Sequence, residues 1–121
     1  MTPILVDTSL WVEHLRIGHP KLASLLLEGE VATHPFVVGE LACGNIKNRR
    51  EILSLLQALP AATVAENDEV LRFIDNHRLM GLGLGYTDVH VLASAALSHM
   101  PLWTADKQLH NAAWRLRLAF A

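Results

Sequence analysis

The strongest constraint on the fold of this chain is a strand pattern that runs straight into a helix pattern, repeated along the sequence. PILV at positions 3 to 6 is a short apolar run of buried-strand type. DTSLWVEHLR follows at once with apolar residues at helical spacing, and Asp7, Thr8 or Ser9 can cap it. PKLASLLLEG reads as a helix that opens on Pro20 and stops at Gly29, EVATH as a second strand, and PFVVGELACG as a helix with proline in its first turn. NRREILSLLQALP predicts a helix ended before Pro60, TVAE a third strand, and NDEVLRFIDNHRLMG a helix capped by Asn67 or Asp68. After the loop GLGLGY come a helix from Thr87 to about Ser98, the strand PLWT, a short helix from Asp106, and RLRLAF as a candidate last strand. This alternation predicts an α/β fold: a central parallel sheet with helices on both faces, in three layers.

At 121 residues, 51% of them hydrophobic and none set apart by composition, the chain has material for one well-filled core, so a single domain over 1–121 is expected. The longest apolar runs are only a few residues and the N-terminus has no signal-peptide pattern, so the expected location is the cytoplasm, with no membrane span. A single cysteine, Cys43, excludes an internal disulfide and a Cys-rich zinc site, and its apolar neighbours predict a packed thiol. The histidines show no HExxH spacing, and His90, two residues past Asp88, is expected to point away from it as a structural or solvent-facing residue. GLGLG at 81 to 85 is not GxGxxG and follows a helix, which argues against dinucleotide binding, and GxSxG is absent. Trp11, Trp103 and Trp114 are expected in the core or an interface.

In open α/β sheets the functional crevice lies outside the carboxyl ends of the strands. Asp7 after ILV and Asp106 after PLWT both fall at such ends, while Glu40 lies inside VVGELA and Asp88 opens VHVLASAA, on or beside apolar faces where a lone carboxylate is costly. Taken singly, Asp7 and Asp106 also suit helix caps, Asp88 suits a first turn, and Glu40 suits an exposed helix position. Taken together they conflict: two carboxylates about 4 Å apart repel by roughly 4 kcal/mol at an effective dielectric near 20. Bound cations remove that conflict. An all-oxygen site suits Mg²⁺ or Mn²⁺, ions that keep several waters and take phosphate oxygens as further ligands, which makes a phosphodiester the natural substrate and a metal-activated water the nucleophile.

ILVDTSLWVEHLR, FVVGELACG, GYTDVHVLASA and LWTADKQL resemble the four motifs of the PIN domain, specifically of VapC-type toxins from bacterial toxin–antitoxin pairs. The resemblance runs in order from Ile4 to about Leu109. It implies a parallel-sheet fold, Mg²⁺- or Mn²⁺-dependent endoribonuclease activity, and an acidic metal site of Asp7, Glu40, Asp88 and Asp106. Thr104 matches the hydroxyl residue that accompanies the last acid, and Ser9 the small hydroxyl residue beside the first. It also implies a cognate antitoxin that covers the site, and a homodimer.

The formal net charge of −2 is not that of an ordinary nucleic-acid binder. Yet twelve acids against ten Lys and Arg become eight against ten once four acids are neutralised by metal. Lys47, Arg49 and Arg50 form one basic group, and the tail after Asp106 carries Lys107, Arg115 and Arg117 with no acid. Three functions fit this pattern: an RNA-cleaving toxin, a catalytically silent binding module that acts through protein contacts, and a phosphoacceptor or phosphoryl-transfer domain. The last lacks a second Asp two residues after the first, since position 9 is Ser, and a strand-end Lys, since Lys107 follows an acid. An antitoxin Arg or Lys is expected to enter the acidic site. Leu10, Trp11, Leu15, Leu22, Leu25 and Leu26 suit either a groove for its apolar segment or plain core.

Overall fold

The computed structural model describes residues 2–120. The first strand, β1 (Ile4–Val6), lies at the centre of the sheet, with β2 (Val31–Ala32) on one side and β3 (Leu102–Trp103) on the other, all parallel. Leu5 sets the register, opposite Ala32 and Leu102. Successive strand side chains point to opposite faces, so the burial of Ile4, Leu5 and Val6 alike means that both faces of β1 are covered. The α/β architecture with helices on both faces is therefore present.

Two helices, α1 (Thr8–Ile17) and α2 (Pro20–Leu27), carry the chain from β1 to β2. Asp7 caps α1, while His19 caps α2 through its side chain and Pro20 fills the first turn, where its missing N–H costs nothing. Beyond β2 come α3 (Pro35–Ala42), α4 (Arg49–Ala58), α5 (Asn67–His77) and α6 (Tyr86–Ser98), then β3 and α7 (Lys107–Arg115). The chain thus visits β2 first and β3 last, on opposite sides of β1. This reversal opens a crevice at the carboxyl ends of β1 and β3.

The central helix is α6, with Val89 to Ala95 buried on every side and α3, α5 and α7 packed against it. Ala93, Ser94 and Ala95 are small enough to admit those neighbours closely. Inside the core, His34 caps α3: its Nδ1 accepts from Phe36 N–H at 2.9 Å, which leaves Nε2–H to donate to Ser94 Oγ at 3.0 Å. Burial, followed by the charge of nearby His90, lowers the His34 pKa from 6.5 to about 4, so this imidazole is neutral at pH 7.

Several sequence expectations are corrected. TVAE is not a strand: its neighbour Ala61 makes one bridge to Thr33, after which Thr63 N–H donates to Ser98 Oγ at 2.8 Å and Ala65 N–H to Ser94 Oγ at 3.1 Å. Hydroxyls of α6 take the amides that a strand neighbour would otherwise pair. RLRLAF contributes a single bridge, Ala119 to Leu102. The α5 cap is Glu66, whose N–H donates to Glu69 Oε1, while Asn67 instead accepts from Tyr86 Oη at 2.6 Å. Cys43 is exposed, beyond the packed face of α3, and not a packed thiol. Trp11 is core, Trp103 is half-buried, and Trp114 is 67% exposed. Among the described residues no helix is long and apolar enough to cross a membrane.

Candidate active site

Asp7 stands where β1 gives way to α1 and is only 6% exposed. A buried carboxylate needs donors, and hydroxyls supply them: Thr104 Oγ1 donates to Asp7 Oδ2 at 2.8 Å and Ser9 Oγ at 3.0 Å. The Ser9 amide adds a long contact at 3.5 Å. Thr104, itself 7% exposed, ends β3 and accepts from Asp106 N–H at 3.0 Å, while Ser9 Oγ accepts from Ala105 N–H at 2.9 Å. Two hydroxyls 3.1 Å apart therefore tie the end of β1 to the turn after β3. Asp106 then caps α7 through Oδ1, which accepts from Leu109 N–H at 3.0 Å.

The other two acids come from helices. Glu40, exposed near the end of α3, accepts at Oε1 from Thr8 Oγ1 at 2.6 Å, across 32 residues of sequence. Asp88, in the first turn of α6, accepts at Oδ2 from Gly85 N–H at 3.2 Å. Burial raises the Asp88 pKa most, the Gly85 N–H opposes this, and the charges of Asp7, Asp106 and Glu40 raise it further. All three acids thus act electrostatically on Asp88 from around the same crevice. In each of the four, the second carboxylate oxygen takes part in none of these bonds.

All four acids singled out from the sequence, with Ser9 and Thr104, therefore meet at one end of the sheet. Thr8 was visible from sequence only as a possible cap; its bond to Glu40 joins α1 to α3 and has no local signature. His90 is buried on α6, stacked on Phe36 with centroids 4.1 Å apart, as a structural residue. Among the described residues no three Asp, Glu, His or Cys side chains are gathered tightly enough to cage an ion as they stand. The donor chemistry nonetheless fits Mg²⁺ or Mn²⁺, since Mg²⁺ is held by one or two carboxylates with waters and substrate phosphate and not by an all-protein cage. Burial accounts for most of the raised Asp88 pKa, and the part that Asp7, Asp106 and Glu40 add is negative charge that a cation would relieve.

A parallel sheet with acids at the carboxyl ends of β1 and β3 and on the two helices beside them defines a class: the PIN domain model matches residues 4–115, and the chain belongs to the PIN domain family. Within that family it is of the VapC type. Ribonuclease VapC32 of Mycobacterium tuberculosis, in two strains, is 46% identical to it over 119 residues, covering 98% of this chain and 96% of that protein. Among solved structures, the crystal structure of PAE2754 from Pyrobaculum aerophilum superposes with a TM-score of 0.62 at 19% identity, covering 92% of this chain and 79% of that one. At that identity the likeness speaks for the fold.

Proposed function

We propose that this chain is a Mg²⁺- or Mn²⁺-dependent endoribonuclease and the toxin of a toxin–antitoxin pair, acting in the cytoplasm. One observation carries the reading: four acids surround one crevice, each steered by a protein donor on one oxygen and offering the other. The similarity to a protein named Ribonuclease VapC32 supports it.

Asp7, Glu40, Asp88 and Asp106 would hold the cation. When bound, it supplies Lewis acidity, lowering the pKa of water and offsetting charge on the phosphate. The chain's own residues do the rest. Thr104 and Ser9 fix the Asp7 carboxylate by donating to the same oxygen, so it presents Oδ1 in one orientation. Thr8 does the same for Glu40, and the α7 N-terminus for Asp106. Asp88, whose pKa burial and then the three neighbouring acids raise in the metal-free chain, is the acid whose charged form a bound cation would favour most. The family resemblance implies cleavage to a 5′-phosphate and a 3′-hydroxyl.

The toxin role draws on two adjoining clefts. One, of about 320 Å³ between α1, α2 and α4, is lined by Trp11, Leu15, Leu26, Ile52, Leu55 and Leu59. The next, of about 430 Å³, shares Leu15 and reaches Glu40. An antitoxin segment laid apolar side down in the first would arrive at the acids through the second, where an Arg or Lys would replace the cation. Leu10 and Leu22, by contrast, are core. A homodimer belongs to the same proposal and is read by light scattering. The test of the activity is incubation of total RNA with the purified chain in Mg²⁺ or Mn²⁺ and in EDTA. Discrete, metal-dependent fragments are expected; an intact RNA pool in every condition would overturn the reading.

A further inference from the structure

The chain after Asp106 has three Lys or Arg and no acid. Helix α7 buries Leu109, Ala112 and Ala113, so Lys107, Asn111 and Arg115, at i, i+4 and i+8, lie along its outer face with Trp114 beside them. Trp114 is the most exposed aromatic of the described residues, at 67%, and His110 stacks loosely on it at 6.5 Å.

Two clefts flank this face. The first, of about 400 Å³, lies between Leu82 and the α7 residues Lys107, Gln108, Asn111 and Arg115. Gly83, whose φ of +76° favours glycine, carries the loop alongside Gln108 at ordinary packing distance. The second, of about 520 Å³, is lined by Trp114, Arg115, Arg117 and Ala119. Lys107, which lines the first cleft, follows Asp106 directly, so this end of the α7 face adjoins the acids. Arg115, the last residue of α7, donates to His77 O at 2.7 Å, which ties that end of the face to the end of α5. From Lys107 to Arg115 the helix advances about 12 Å.

We infer that the outer face of α7 is a binding track for single-stranded RNA beside the acidic crevice, with Lys107 and Arg117 against phosphates and Trp114 stacked on a base. This rests on the ribonuclease reading for its ligand. Charge complementarity selects a polyanion, and an exposed aromatic among cations is the usual platform for an unpaired strand, since every base offers a π-face.

The test is binding of a labelled single-stranded RNA oligonucleotide to the full chain in EDTA, where nothing is cut, by fluorescence anisotropy across a salt series. Trp114→Ala is expected to weaken binding about 10-fold and to remove the RNA-dependent quenching of tryptophan emission. Lys107→Gln combined with Arg117→Gln is expected to lower the slope of log K against log salt by about 1.4. Circular dichroism and light scattering establish that the variants fold and keep the parent's oligomeric state. Unchanged affinity and slope in both variants would overturn the inference, even if the parent cuts RNA. A Trp114→Ala variant that splits a dimer and binds RNA as before would overturn it too, making this face a contact between copies. If the parent cuts nothing yet loses RNA affinity in the variants, the track stands and the nuclease reading falls.

Discussion

Thr104→Val tests whether the hydroxyl network holds the first acid in place. The substitution keeps the branched shape and removes the donor to Asp7 Oδ2 at 2.8 Å, together with the acceptor for Asp106 N–H. A hydrogen bond to a charged group contributes about 1.5–3 kcal/mol, and Asp7, buried at 6% exposure, has little water to replace it. The new methyl returns about 0.8 kcal/mol of burial, leaving a net loss of about 1–2 kcal/mol. For a chain of this size that is a fall in Tm of about 3–10 °C. If Asp7 holds the cation as proposed, Thr104 orients one of its ligands, and the affinity for Mn²⁺ should fall as well, about 10- to 100-fold. Thermal melts in EDTA read the first effect and calorimetric Mn²⁺ titration the second. Thr104→Ser, which restores the hydroxyl, should recover most of the metal affinity. A Thr104→Val protein that melts with the parent and binds Mn²⁺ equally well would refute the reasoning.

Other perturbations separate charge from packing. Since Asp88 has a raised pKa in the fold, the metal-free protein gains stability as pH falls through that pKa and loses it as pH rises above. Asp88→Asn should therefore be more stable than the parent in EDTA at pH 7 by urea denaturation, and should lack the Tm increase that Mg²⁺ is expected to give the parent. His34, depressed to about 4, acts in the opposite sense: the unfolded chain takes up its proton near pH 6.5 and the fold resists until about 4. Stability should fall by roughly 3 kcal/mol across that window, followed in urea melts, with the His34 ring neutral by NMR at pH 5. Ser94→Ala removes the partner of both His34 Nε2 and Ala65 N–H in a buried setting, and should cost about 2–4 kcal/mol in denaturant unfolding without changing metal affinity at pH 7.

Much of this arrangement can be read along the chain because it is locally encoded. Asp7 and Asp106 sit directly after apolar strands and cap the helices that follow, so one residue type in one place reports both strand end and helix start. Pro20 and Pro35 mark first turns in the same way. What escapes the sequence depends on partners far away in it. TVAE has strand composition, but Ser94 and Ser98 of a helix about 30 residues later take its amides, and no local pattern announces that. Cys43 has apolar neighbours yet lies just past the end of α3, where the packed face has run out. The bond from Thr8 to Glu40 is of the same kind, since only the packing of α1 on α3 brings the two together.

In the proposed function Asp7, Glu40, Asp88 and Asp106 act as one metal-dependent unit on RNA. The most direct measurement is the single-turnover rate of RNA cleavage by the parent and by Asp7→Asn, Glu40→Gln, Asp88→Asn and Asp106→Asn, each across a Mg²⁺ titration from EDTA upward. No cleavage is expected in EDTA, with a rate that rises with Mg²⁺ in the parent and a loss of at least about 100-fold at the Asp variants. A parent that cuts equally well in EDTA, or an Asp88→Asn protein that cuts as fast as the parent, would contradict the proposal.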